Sequence, residues 1–156
     1  MFSPAFYKHP GFQEGIEKFT VEKTRMVDLN EPTASVDFLG FTFRYDRDLH
    51  GGTYRYLNLF PSKKAQARAR DKLRELTGSH RCFMPITDMI AETNGWLRSW
   101  VNYFRHGYSR VAFRHVNRFT RERLICHLKR RSQRPFRPPA GTTYYAQLQT
   151  FGLRNL

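Results

Sequence analysis

The chain has 156 residues, 27 Lys+Arg against 13 Asp+Glu, and a formal net charge of +14. That length can bury the core of one domain or two small ones. No run of about 18 apolar residues offers a membrane span, and no charged start followed by an apolar stretch marks a secretion signal, so a cytoplasmic location is expected. The charge is uneven: from Asn94 onward there are 13 Lys+Arg and a single acid, Glu122. A polyanion relieves such self-repulsion, nucleic acid most commonly, with an anionic membrane surface as the rival.

Residues 1–15 carry no clear period. Phe19 to Leu29 suits a short strand, closed by the Asn30-Glu31-Pro32 break. In Val36 to Tyr45, Phe41, Phe43 and Tyr45 alternate with polar residues, and Gly51-Gly52 offers a turn before Thr53 to Phe60; the pair reads as a β-hairpin with a loop longer than two residues. Gly40 inside the first strand marks a bulge or a close backbone approach. Pro61-Ser62 ends the sheet, Ser62 being the candidate N-cap of a helix running to about Thr77. Ala65, Ala69, Leu73 and Leu76 form its narrow apolar stripe, and Lys63, Lys64, Arg68, Arg70, Lys72 and Arg74 surround it. Only Asp71 and Glu75 stand among those six cations, which suits contact with RNA phosphates.

Pro85 to Gly107 reads as the central helix, with Ile86, Met89, Ile90, Thr93, Leu97, Trp100, Val101 and Phe104 in one arc of roughly 120°. Pro85 is tolerated at its start and Gly107 suits a left-handed cap at its end. Asn94, Arg98 and Arg105 make one flank polar and cationic. Trp100 and Phe104 fall inside the arc and read as core; Tyr103, at its border, divides evenly between packing and stacking on an unpaired base. A third helix, about Ser109 to Arg131, puts Phe113, Val116, Thr120, Leu124 and His127 on one side. Arg110, Arg114, Arg118 and Arg121 gather within about 80° on roughly the other, without acids at pairing distance, as a strip for gripping phosphates. Lys129, Arg130, Arg131, Arg134 and Arg137 extend the track into a proline-rich segment, and a short last element spans Thr143 to Leu148. Cys82 and Cys126 read as free thiols, since no second pair completes a metal site with His80, and no metal or cofactor is expected. His106 and His115 read as surface histidines.

Four blocks carry a resemblance: Glu22-Lys23-Thr24-Arg25, Asp37-Phe38-Leu39-Gly40-Phe41, Pro61-Ser62-Lys63-Lys64, and Asn94-x-x-Leu97-x-x-Trp100-x-x-Tyr103-Phe104 with Phe113 and Arg121-x-Arg123-Leu124 after it. In that order the chain resembles the C-terminal part of a bacterial group II intron reverse transcriptase and maturase: end of palm, start of thumb, and maturase-specific domain X. Ser99 stands where the family has glycine and Asn117 where aspartate is common. The resemblance implies an α+β fold, with a palm-remnant hairpin over 1–60, a thumb-like helix and linker over 61–80, and the helical maturase domain over 81–156. It implies group II intron RNA as the partner, and promotion of splicing by stabilising the active fold of that RNA. The residues expected to bind RNA are Lys63, Lys64, Arg68, Arg98, Arg105, Arg110, Arg114, Arg118, Arg121, Lys129, Arg130 and Arg131.

The family's Tyr-x-Asp-Asp polymerase site is absent from this sequence. Tyr45-Asp46-Arg47-Asp48 follows the palm block, lacks adjacent aspartates and reads as a solvated turn. Polymerisation needs paired carboxylates on two metal ions, so the chain alone is not expected to copy RNA. The alternative is one piece of a split or truncated RNA-directed DNA polymerase, inactive without a separately encoded fingers and palm; a generic DNA-binding helical domain is a third reading. Truncated strand edges would favour a homodimer.

Overall fold

A computed structural model describes residues 27–31, 33–47 and 54–156. The Glu22–Arg25 block, the Gly51-Gly52 turn, Asp48 and most of the strand expected over Phe19 to Leu29 lie outside those residues; Val27 to Leu29, at its end, are not in a strand. The fold is α+β: an antiparallel sheet in the order β1 (Val36–Phe38), β2 (Phe41–Arg47), β3 (Arg55–Pro61), then α1 (Lys63–Leu76), α2 (Ile86–Phe104), α3 (Arg110–Arg130) and α4 (Tyr144–Thr150).

The first strand of the expected hairpin is in fact two. Leu39 and Gly40, with φ of 48° and 81°, form a two-residue turn that pairs Phe38 with Phe41, the left-handed geometry that matches strand twist. Gly40 therefore marks neither a bulge nor a crowded approach, for an added Cβ would meet Phe104 only at an ordinary 3.5 Å. The β2–β3 hairpin has the expected longer loop, running in register from Phe41 with Pro61 to Arg47 with Arg55.

Ser62 caps α1 as expected, its Oγ accepting from Ala65 N at 3.1 Å. The alanine stripe lets α1 approach α2 and α3, and Ala69, Leu73, Leu97 and Val116 form one buried cluster. Met89, Ile90, Leu124, Leu128, Leu148 and Leu153 form a second, closed by α4, whose Thr143 cap accepts from Ala146 N at 3.2 Å. Each large aliphatic side chain in these clusters contributes about 2 kcal/mol by leaving water.

The sheet rests on the corner between α2 and α3. Phe41 packs on Phe104 and Tyr103, with ring centroids 4.8 and 5.6 Å away, and Tyr103 Oη donates to Leu39 O at 2.8 Å. Tyr108 N donates to Leu59 O at 2.8 Å. Gly107, at φ +104°, allows this approach, because any Cβ there would collide with the Leu59 carbonyl.

Candidate nucleic-acid interface

Along α1 the two acids are already engaged. Arg74 holds Asp71 at 2.6 Å and Lys72 holds Glu75 at 2.9 Å. Lys63, Lys64 and Arg68 are exposed and have no carboxylate partner among the described residues. On α2, Arg98 is exposed in the helix and Arg105 at its C-cap, Arg105 Nε lying 3.5 Å from His106 Nε2.

The arginine row on α3 divides. Its buried side is the series Ala112, Val116, Thr120, Leu124 and Leu128, and a four-residue spacing advances about 40° round the helix at each step. Arg110, Arg114 and Arg118 share that spacing, so they stay opposite the buried side and are exposed. Arg121 breaks the spacing, turns back about 60° from Arg118, and meets α4. There it is half-buried, with its guanidinium 4.9 Å over the Tyr145 ring and Nε donating to Asn117 O at 3.3 Å. The expectation that the row lacks acids at pairing distance also fails, because Arg118 Nε lies 2.8 Å from Glu122 Oε1, an i,i+4 pair. Arg110 and Arg114 have no carboxylate partner among the described residues.

The far end of α3 is occupied with the fold. Thr77, fully buried at the C-cap of α1, presents a carbonyl of the kind a helix end leaves unpaired. Arg130 donates to it at 3.0 Å, His127 Nδ1 lies 3.3 Å from it, and Arg123 Nε donates to Thr77 Oγ1 at 3.3 Å. Arg131 Nε donates to Cys82 O at 3.1 Å, and Lys129 lies 5.2 Å over the Tyr144 ring. Cations at the negative end of a helix dipole are favourable without any ligand. Burial pushes the His127 imidazole below its ordinary pKa of 6.5; the Thr77 carbonyl opposes that shift and the charges of Arg130 and Arg131 add to it.

Asn94 and Asn117, the polar marks on α2 and α3, hold the chain's last residues. Asn94 Nδ2 donates to Gly152 O at 2.8 Å and its Oδ1 accepts from Arg154 N at 3.2 Å. Asn117 repeats the arrangement on Leu156, at 3.4 and 3.2 Å. An aspartate at 117 would accept from the Leu156 N–H but could not donate to its carbonyl.

Two grooves flank α1. Between α1 and α3, Gln66, Arg70, His115, Arg118 and Phe119 line one that continues past Tyr108 to Arg44 and Asn58 of the sheet. Between α1 and α2, Arg68 and Lys72 face Trp96, Trp100 and Tyr103. Arg70 and Lys72 stand among the six α1 cations that suit phosphate contact but outside the twelve residues expected to bind RNA; Arg44 is in neither group, and no local signal in the sequence places it at a groove. Asp46 is a strand residue, not part of a solvated turn: it pairs with Arg44 at 2.8 Å and accepts from Asn58. Burial would raise its carboxyl, but these two partners outweigh it and hold the pKa below the usual range. Cys82 and Cys126 are free thiols. Among the described residues no cluster of three His, Cys, Asp or Glu could hold a metal ion, and no helix is long and apolar enough to cross a membrane.

Residues 66–145, from the first turn of α1 into the start of α4, match the family model described as "Group II intron, maturase-specific domain". No curated protein and no solved structure shows a significant match to the chain.

Proposed function

Because the chain belongs to the family of the group II intron maturase-specific domain, we propose that it is an RNA-binding module that holds a group II intron RNA in its splicing-competent fold, the RNA itself performing the chemistry. The observation that best supports this reading is a group of exposed helix cations without carboxylate partners among the described residues, which includes Lys63, Lys64 and Arg68 on α1, Arg98 on α2, and Arg110 and Arg114 on α3. Each would neutralise a phosphate and release condensed counterions, which makes affinity salt-dependent and largely sequence-independent. Arg105 and Arg118 complete the proposed grip. Arg121, Lys129, Arg130 and Arg131 are left outside the proposed grip, because each already contacts a backbone carbonyl or an aromatic ring of the fold.

The test is binding of a group II intron transcript by filter retention across a salt series, alongside splicing at a magnesium concentration where the RNA alone is inactive. The reading expects log K to fall by roughly one unit of slope per phosphate contact, and splicing to be restored by the protein. Binding no tighter than to an unrelated RNA of equal length, with no restored splicing, would contradict it.

The exposed edge at β1 favours a second reading, in which the chain works as one piece of a divided RNA-directed DNA polymerase. Among the described residues β1 is an unpaired edge of three residues; Phe38 in it and Leu39 in the turn after it are 61% and 67% exposed, the kind of edge that pairs with another chain. Co-purification of a separately encoded polypeptide carrying Tyr-x-Asp-Asp would support it; its absence under conditions that retain intron RNA would leave the first reading alone.

A further inference from the structure

The groove between α1 and α2 differs in chemistry from the arginine-lined surfaces around it. Its α1 wall contains the small side chains Ala65 and Ala69, which leave space, and its α2 wall is Trp96, Trp100 and Tyr103 at spacings of four and three. The Leu39-Gly40 turn closes one end. The cavity is about 590 Å³, within the roughly 300–1,000 Å³ of clefts that seat small organic groups. No acid lines it.

The rings are held in place. Trp100 packs against Phe104 and Phe113 with centroids 4.9 and 5.6 Å away. Trp96 lies on the cluster of Ala69, Leu73, Leu97 and Val116. Tyr103 is 52% exposed, yet its hydroxyl is tied to Leu39 O at 2.8 Å. The two cations of the groove lie one helical turn apart on α1. Lys72 is shared with Glu75, whereas Arg68 has no carboxylate partner among the described residues.

We infer that this groove is a stacking site for unpaired nucleotides of RNA, with bases laid on Trp96 and Trp100 and the adjoining phosphate on Arg68. The inference rests on the RNA-binding reading and adds the kind of RNA that this groove takes. Rigid aromatic faces beside a cation satisfy both halves of a nucleotide and tolerate any base, since every base has a π-face. A base-paired helix keeps its bases stacked inside and presents only backbone. An apolar protein segment would cover the rings but leave Arg68 facing it without a counter-charge.

Trp96 and Trp100 are the only tryptophans in the chain, so intrinsic fluorescence reports this groove selectively. The experiment titrates the full chain with an unpaired RNA octamer and with an RNA duplex of equal total charge, following both tryptophan emission and the anisotropy of a dye on the RNA. The octamer should quench the emission by about half and the duplex should not, and R68Q should weaken octamer binding at least threefold. If the octamer binds by anisotropy while emission stays unchanged, or if the duplex quenches equally, the stacking site falls and the phosphate grip stands. If neither RNA binds, the RNA-binding reading falls as well.

Discussion

Arg110 and Arg114, in the first two turns of α3, are exposed and have no carboxylate partner among the described residues. Arg123, Arg130 and Arg131, in its last turns and just beyond, donate to Thr77 Oγ1, to the Thr77 carbonyl and to the Cys82 carbonyl. Both ends of the helix are rich in arginine and both lie beside the C-terminus of another helix, but at the first the Phe104 carbonyl is taken by Ser109 Oγ at 2.7 Å, whereas at the second the Thr77 carbonyl is left to Arg130 and His127. Orphan carbonyls there consume guanidinium donors whether or not RNA is present. A positive count along a chain therefore overstates the surface left for phosphates, and the excess is concentrated where a helix-end carbonyl is met by a guanidinium and not by a hydroxyl.

The largest effect expected on the fold side of this contrast comes from His127, which is fully buried with Nδ1 facing Thr77 O. H127A should cost about 3 kcal/mol of stability through the void it leaves among buried side chains, measured by urea unfolding. The same histidine gives a pH dependence. Its folded pKa lies below the unfolded 6.5, so above that pH the ring is neutral in both states. As pH falls below it, the unfolded chain takes the proton first and stability declines until the folded ring also protonates. The urea midpoint should drop between about pH 7.5 and 5.5, and H127A should drop less.

Next, R130A with R131A should destabilise by about 2 kcal/mol while changing the salt slope of RNA binding by less than about one unit. A large loss of slope with unchanged stability would move these residues to the RNA side. Smaller still, N94A should cost about 1 kcal/mol and speed amide exchange in residues 152–154, since it releases Gly152 and Arg154. The smallest effect is at Glu122. An exposed i,i+4 pair contributes little to stability, so E122Q should free Arg118 and tighten RNA binding about twofold.

Much of the fold could be read from sequence because its signals are local. The apolar period over Pro85 to Gly107 gives α2, and the Ser62 and Thr143 caps start α1 and α4. The Leu39-Gly40 turn also leaves a trace: apolar positions 36 and 38 are followed by 41, 43 and 45, a change of phase that a two-residue turn requires and a single strand forbids. The Arg118–Glu122 pair is equally visible in its spacing. What sequence could not give is long-range. Asn94 meets Gly152 across 58 residues and Arg130 meets Thr77 across 53, so which cations go to carbonyls depends on how the helices pack. Arg121 lies between these cases, because the winding of the buried side is computable but the arrival of Tyr145 is not.

The contrast between the two ends of α3 is tested most directly by the salt dependence of intron RNA binding for R110Q with R114Q, set beside R130Q with R131Q under the same conditions. The account predicts that the first pair loses about two units of log–log slope with stability unchanged within about 0.5 kcal/mol, and that the second keeps its slope and loses stability. Equal slopes for the two double variants, with both as stable as the parent chain, would contradict it.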